Sequence, residues 1–126
     1  MNPSSPSILV AEDHADSRDA LRTLLEASGY RVVVAEDGRQ AVDRALAESP
    51  TLILMDIMMP EVDGLEATRI LRRTPGFTDV PILALTAMEG SRERALEAGC
   101  NDYITKPIDL RSFFAKIQGW LGRDEG

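Results

Sequence analysis

The stretch TLILMDIMMPEVDG, residues 51–64, is a run of apolar residues interrupted by one acid. Four apolar residues, Leu52–Met55, lead into Asp56, and three more apolar residues follow it. A run of this length and composition is typical of a buried strand. A carboxylate at its end is costly to desolvate unless a cation or hydrogen bonds compensate the charge. The stretch therefore predicts a buried strand and, at its end, a site that compensates Asp56.

Strand-like runs and helix-like segments alternate along the rest of the chain. The strand sequences are SILVAE, RVVVAE, TLILMD, VPILALTA and DYIT, and the helix sequences are DSRDALRTLLEASG, GRQAVDRALAES, GLEATRILRR, SRERALEAG and DLRSFFAKIQGWL. Continuous apolar strands separated by helices indicate a parallel sheet with helices on both faces. The predicted fold class is therefore α/β, with a doubly wound five-stranded parallel sheet. The residues predicted to face the sheet include Ala41, Val42, Ala45 and Leu46 in the second helix and Leu110, Phe113, Phe114 and Ile117 in the last.

Length and composition predict one soluble globular domain. The chain has 126 residues, of which 44% are hydrophobic and 28% charged, and its net charge is −7. An acidic balance argues against direct nucleic-acid binding, and there is neither a signal-peptide pattern nor an apolar run of spanning length. A single cysteine, Cys100, excludes an intrachain disulfide and suits a cytoplasmic location. We expect a flexible leader over residues 1–6, a domain over 7–121 and a polar tail over 122–126.

Polar residues stand where each predicted strand ends, which in a parallel sheet is one shared edge. If the second strand lies at the margin of the sheet, Glu36 and Asp37 fall outside this group. The remaining candidates are Glu12 and Asp13 after the first strand, Asp56 after the third, Thr86 at the end of the fourth, and Lys106 after the fifth.

The chemistry of this group favours phosphoryl transfer. Three carboxylates that share a crevice cannot all stay ionised without help, and oxygen ligands of this kind suit a hard cation such as Mg²⁺. Lys106 supplies an ammonium and Thr86 a hydroxyl, which suit an anion beside the metal. Because carboxylates form aspartyl-phosphates, Asp56 is the predicted nucleophile.

Four motifs carry a resemblance to a known family. They are VAEDH, LILMDIMMPEVDG, ALTA and DYITKPI, and each ends a predicted strand. In this order they make the chain similar to the receiver domain of two-component response regulators, the family of the bacterial chemotaxis regulator. The similarity covers residues 7–121 and implies a flavodoxin-like sheet with strand order 2-1-3-4-5.

The resemblance implies a phosphoacceptor site. Asp56 would receive a phosphoryl group from a sensor histidine kinase or a histidine phosphotransfer protein. Asp13, Asp56 and the backbone carbonyl of Met58 would ligate Mg²⁺ or Mn²⁺, and Glu12 would act mostly through water. The protein would be a signalling protein that catalyses only its own phosphorylation and dephosphorylation, without direct nucleic-acid binding or membrane insertion.

The resemblance also implies a switch. Lys106 would pair with the phosphoryl oxygens, across a cis peptide bond to Pro107. Thr86 would move toward the phosphoryl group, and Tyr103 would swing inward behind it. The fourth helix, fifth strand and fifth helix would then present a changed surface to a downstream protein.

Other interpretations remain open from the residues themselves. The chain could be a receiver cut from a hybrid histidine kinase or from a longer regulator. A Mg²⁺-dependent aspartyl phosphatase would need a second acid near its nucleophile, where Met58 stands instead. A binding module independent of phosphorylation is a third possibility. His14, the only histidine, is either an exposed residue at a helix start or a participant in the acidic site. Asp63 and Gly64 are expected to cap and to turn into the third helix.

Overall fold

The computed structural model describes residues 6–59, 62–87 and 91–122, in which five strands alternate with five helices. In chain order the elements are β1 Ser7–Ala11, α1 Ala15–Ala27, β2 Arg31–Ala35, α2 Gly38–Glu48, β3 Leu52–Asp56, α3 Gly64–Arg72, β4 Ile82–Thr86, α4 Ser91–Ala98, β5 Asp102–Thr105 and α5 Leu110–Gly122. The strands form one parallel sheet in the order β2-β1-β3-β4-β5, which confirms the predicted fold class and strand order.

The register of the sheet brings the strand ends together. Ala11 lies opposite Met55, so the residue after β1 is level with Asp56 at the end of β3. Asp56 lies opposite Leu85, so Thr86 is one residue further along β4. β1, β3 and β4 are buried throughout, whereas β2 is partly exposed at the margin of the sheet. The central strand β3 therefore opens onto a crevice that its neighbours enclose.

Hydrophobic cores lie on both faces of the sheet. Helices α1 and α5 cover one face, where Phe113 and Ile117 are fully buried, and α2, α3 and α4 cover the other. Two predicted core positions are wrong, because Leu46 is 52% exposed and Leu110 is 47% exposed. Helix α2 contacts the sheet through small alanines, which leaves the next position, Leu46, on its flank. Leu110 is the first residue of α5 and lies beyond the part of the helix that covers the sheet.

The described residues include one residue of the predicted leader and one of the predicted tail. The predicted leader lies outside the described residues except for Pro6, whose carbonyl accepts a hydrogen bond from the Arg31 amide at 3.0 Å. Helix α5 includes Gly122, and the rest of the predicted tail also lies outside the described residues. Among the helices described, none is long and apolar enough to cross a membrane.

Helix α3 begins against the strand that carries Asp56. The Asp63 carboxylate accepts a hydrogen bond from the Glu66 amide at 2.9 Å and so caps the helix, as predicted. A side chain at Gly64 would overlap the carbonyl oxygen of Asp56 and lie 2.7 Å from the Cα of Ile57. Glycine is needed here because two backbones pack closely, which differs from the turn conformation that the sequence suggested.

Candidate functional site

Asp56 ends the central strand and is only 4% exposed. Its Oδ1 accepts a hydrogen bond from the Met58 amide at 2.8 Å, because the chain turns sharply after the strand. Its Oδ2 lies 3.0 Å from the Nζ of Lys106. A backbone amide and an ammonium therefore compensate the charge that made Asp56 unusual in an apolar run.

Lys106 joins the ends of several strands. Its Nζ also donates to Oε1 of Glu12 at 2.7 Å, and the Glu12 side chain is fully buried. The Lys106 amide donates to the carbonyl of Thr86 at 2.7 Å, which fixes the segment after β5 against β4. The peptide bond between Lys106 and Pro107 is cis. One ammonium is thus shared by two buried carboxylates from β1 and β3.

Burial shapes the electrostatics of this cluster. Burial, together with the neighbouring Glu12 carboxylate, raises the pKa of Asp56 to about 6. Hydrogen bonds from the Met58 amide and from Lys106 act in the opposite direction but do not cancel this rise. Burial also opposes ionisation of Glu12, but hydrogen bonds with Asp56 and Lys106 hold its pKa below the usual value. The two carboxylates raise the pKa of Lys106 despite its own burial. Asp56 therefore keeps its proton to a higher pH than an exposed aspartate does, and a bound cation would favour its ionised form.

The charges and donors fit a hard divalent cation. Three carboxylates, those of Glu12, Asp13 and Asp56, face one ammonium, which leaves a formal charge of −2 when all are ionised. Among the described residues, Oδ1 of Asp13 is a buried oxygen that accepts no hydrogen bond. A buried acceptor of this kind is costly unless a ligand satisfies it. Oxygen donors of this charge suit Mg²⁺.

Thr86 and Tyr103 occupy different levels of the sheet. Thr86 is 4% exposed and is the last residue of β4, beside the end of β3. Tyr103 lies opposite Ala84, two residues before that strand end. Its half-buried ring has the Nζ of Lys116 4.4 Å from its centroid and the guanidinium of Arg92 at 5.1 Å. One cation from α4 and one from α5 therefore lie close enough to the ring for cation–π attraction.

A hydrogen-bond network next to Tyr103 was not predicted from the sequence. Lys116 donates to the Tyr103 carbonyl at 2.5 Å and to Oδ1 of Asp102 at 3.3 Å. Trp120 Nε1 donates to Oδ2 of Asp102 at 3.0 Å. Lys116 and Trp120 are four residues apart, so they share one face of α5, and this spacing was the available signal.

The acids after β2 have separate roles at the sheet margin. Asp37 caps α2, because its Oδ1 accepts a hydrogen bond from the Gln40 amide at 2.8 Å. Oε1 of Glu36 lies 3.4 Å from Nη2 of Arg18. Both stay outside the central cluster, as expected for a marginal second strand. Arg18, which the sequence analysis did not single out, donates to the carbonyl of Glu12 at 2.9 Å and supports that residue from α1.

Comparisons with known proteins agree on one family. Residues 8–118 match the response regulator receiver domain. The polar-differentiation response regulator DivK of Brucella anthropi is 41% identical over 118 residues, which are 92% of this chain and 96% of DivK. The receiver domain of the sensor histidine kinase PA1611 from Pseudomonas aeruginosa PAO1 has a magnesium ion coordinated in its active site cleft. It aligns with a TM-score of 0.88 at 39% identity, covering 94% of this chain and 99% of that one.

A further solved structure contains a signalling partner. It is the co-crystal structure of the Saccharomyces cerevisiae histidine phosphotransfer signalling protein Ypd1 and the receiver domain of its downstream response regulator Ssk1. The alignment has a TM-score of 0.84 at 30% identity and covers 92% of this chain and 88% of that one.

Proposed function

The chain belongs to the response regulator receiver domain family, and from this premise we propose that Asp56 accepts its phosphoryl group. As a receiver domain, the protein acts in two-component signal transduction. The observation that carries the proposal is the buried Asp56 carboxylate with the Lys106 ammonium 3.0 Å away. An ammonium in this position stabilises the negative charge of a phosphoryl group in transit.

The proposed reaction transfers a phosphoryl group from a histidine nitrogen of the donor to a carboxylate oxygen of Asp56. A carboxylate oxygen of Asp56 attacks the phosphorus of a phosphohistidine, and an O–P bond forms as the P–N bond breaks. The electron pair of the broken bond stays on the imidazole nitrogen of the donor. Lys106 pairs with the phosphoryl oxygens, and the Thr86 hydroxyl donates to one of them. Water later attacks the same phosphorus, the bond between phosphorus and the Asp56 oxygen breaks, and inorganic phosphate leaves the free carboxylate behind.

Asp13, Asp56 and the carbonyl of Met58 would hold Mg²⁺ or Mn²⁺, with Glu12 acting mainly through water. Support comes from the formal charge of −2 and from Oδ1 of Asp13, a buried oxygen that accepts no hydrogen bond from the residues that the structure describes. When bound, the cation neutralises the phosphoryl oxygens and orients them for attack. The protein residues already fix the acceptor oxygen and exclude bulk water from it.

Phosphorylation would shift the surface of α4, β5 and α5. The added charge and acceptor oxygens draw Thr86 toward Asp56, and Tyr103 then fills the space behind Thr86. This movement would change the contacts of the Tyr103 ring with Arg92 and Lys116. A downstream protein that binds this surface would therefore respond to the state of Asp56.

A histidine-bearing partner would approach along the groove between α1 and α5. The groove is lined by apolar residues, which include Leu24, Ile108 and Leu110, and also by Glu12 and Lys106 of the site. Exposed apolar surface beside a reactive group is typical of an interaction site. We therefore assign the groove to the helix that carries the phosphohistidine of a sensor kinase or phosphotransfer protein.

Phosphorylation with acetyl phosphate and Mg²⁺ tests the acceptor. Intact-mass measurement should show one added phosphoryl group that hydroxylamine removes, as expected of an acyl phosphate. Asp56→Asn should remain unlabelled, whereas Asp43→Asn, which changes an exposed acid on α2, should be labelled like the wild type. Labelling that persists in Asp56→Asn would refute the assignment. Sustained hydrolysis of a small phosphoester would indicate a phosphatase instead.

A pair of leucine variants tests the partner groove. Leu110→Ser should slow phosphoryl transfer from a phosphorylated histidine phosphotransfer protein but leave labelling by acetyl phosphate unchanged. Leu46→Ser, at a similarly exposed leucine on α2, should affect neither reaction. Equal rates of protein-to-protein transfer in both variants would exclude the groove as the docking site.

A further inference from the structure

We propose that Glu12, Asp13 and His14 form a site for a borderline divalent cation such as Zn²⁺, which competes with Mg²⁺. One ligand atom from each of the three residues lies within 4.8 Å of the other two. The inference rests on the metal site of the proposed function, because Asp13 belongs to both. It adds a nitrogen ligand and a second class of cation to that site.

The imidazole nitrogen of His14 lies at the spacing of a shared ion from both carboxylates. His14 Nδ1 lies 3.4 Å from Oδ1 of Asp13 and 3.6 Å from Oε2 of Glu12. Ligand atoms bound about 2.1 Å from a tetrahedral Zn²⁺ are about 3.4 Å apart, so small movements suffice to bind the ion. Glu12 can supply Oε2 without losing Lys106, because the ammonium contacts the other oxygen, Oε1.

The side chains are available for this role. Oδ1 of Asp13 is buried and, within the described part of the chain, accepts no hydrogen bond. His14 is the N-cap residue of α1, yet its imidazole makes no capping hydrogen bond there. That side chain is 75% exposed, which gives a cation a path from solvent and leaves room for a bound water. The buried Glu12 carboxylate, the Asp13 carboxylate and the accessible His14 imidazole thus make an open three-ligand site.

The imidazole changes which cation is preferred. Carboxylate and carbonyl oxygens suit Mg²⁺, whereas an imidazole nitrogen favours Zn²⁺ and other late first-row metals. A Zn²⁺ ion held by His14 would engage Asp13 and bring a second positive charge beside the Mg²⁺ position. Occupation by one cation therefore disfavours the other. Zn²⁺ would act as an inhibitor of phosphorylation at Asp56.

Proton NMR of the imidazole is a direct test, because the chain contains a single histidine. In protein without an affinity tag, one equivalent of Zn²⁺ should shift the His14 ring resonances, and excess Mg²⁺ should weaken this binding. By calorimetry, His14→Gln should bind Zn²⁺ at least about tenfold more weakly than the wild type. Loss of a residue that only hydrogen-bonds to a metal ligand already lowers metal affinity by about this factor. Asp16→Asn removes an exposed charge from the same helix end and should bind Zn²⁺ within about twofold of wild type.

The outcomes separate this inference from the proposed function. Unchanged ring resonances with one equivalent of Zn²⁺, or equal Zn²⁺ affinity in His14→Gln and wild type, would overturn the inference. If acetyl phosphate and Mg²⁺ label wild-type Asp56 in that case, the proposed function still stands. If instead Zn²⁺ reaches His14 but Mg²⁺ supports no labelling, the proposed function fails and the cation site remains.

Discussion

Replacing Asp56 by asparagine should stabilise the protein at neutral pH in the absence of divalent cations. Burial raises the pKa of this carboxyl from 3.8 to about 6, so the folded protein holds its proton more tightly than the unfolded chain does. As pH rises between these values, the unfolded chain loses the proton first, and the free energy of unfolding falls. Above pH 6 the carboxyl is ionised in the folded and in the unfolded chain, so its destabilising effect on the folded protein stays constant.

The size of the effect follows from the two pKa values. The difference between 3.8 and about 6 corresponds to about 3 kcal/mol, at about 1.4 kcal/mol for each pH unit. Solvent screening reduces this little, because Asp56 is only 4% exposed. Asparagine keeps the shape of the protonated acid without its charge. The free energy of unfolding of Asp56→Asn should therefore exceed that of the wild type by about 3 kcal/mol at pH 7.5.

Urea unfolding from pH 4 to pH 8, with a chelator present, measures this difference. The advantage of Asp56→Asn should be small near pH 4, grow up to about pH 6 and then level off. Asp43→Asn, at an exposed position, should match the wild type within about 0.5 kcal/mol at every pH. Equal stability of Asp56→Asn and wild type at pH 7.5, or an advantage independent of pH, would refute the electrostatic account.

Three further perturbations test the surroundings of Asp56. Lys106→Met should slow labelling by acetyl phosphate about 100-fold, because the transferred oxygens lose their ammonium; intact mass against time measures the rate. Gly64→Ala should lower the free energy of unfolding by about 2 kcal/mol or more in urea, because its side chain overlaps the Asp56 carbonyl, and a neutral result would contradict the close packing. Mg²⁺ should raise the melting temperature of wild type much more than that of Asp13→Asn; equal shifts would exclude Asp13 as a ligand.

The order of elements and the central acid were accessible from the sequence because both depend on local patterns. Apolar runs of strand length separated by helical spacing define a parallel sheet, and such a sheet collects its strand ends at one edge. That rule alone brings Glu12, Asp56 and Lys106 together. The structure adds the contacts between them: the Lys106 ammonium bridges two buried carboxylates.

Features that depend on packing between distant segments were not accessible. Helical spacing assigned Leu46 and Leu110 to the core, but the size of neighbouring residues and the position of a helix along the sheet decide how far a side chain is buried. The reason for glycine at position 64 is a backbone from another element, which no local pattern contains. The cations around Tyr103 likewise come from two helices, α4 and α5.

The hydrogen bond between Trp120 and Asp102 has a practical consequence. The chain contains one tryptophan, so its ultraviolet emission arises from a single indole whose N–H is bound to a carboxylate next to Tyr103. Emission from such an indole depends on the charge and solvent around it. The fluorophore lies on the helix that holds Tyr103 in place and is remote in sequence from the acids that would bind cations. The protein thus carries its own optical probe of β5 and α5, with no label attached to either.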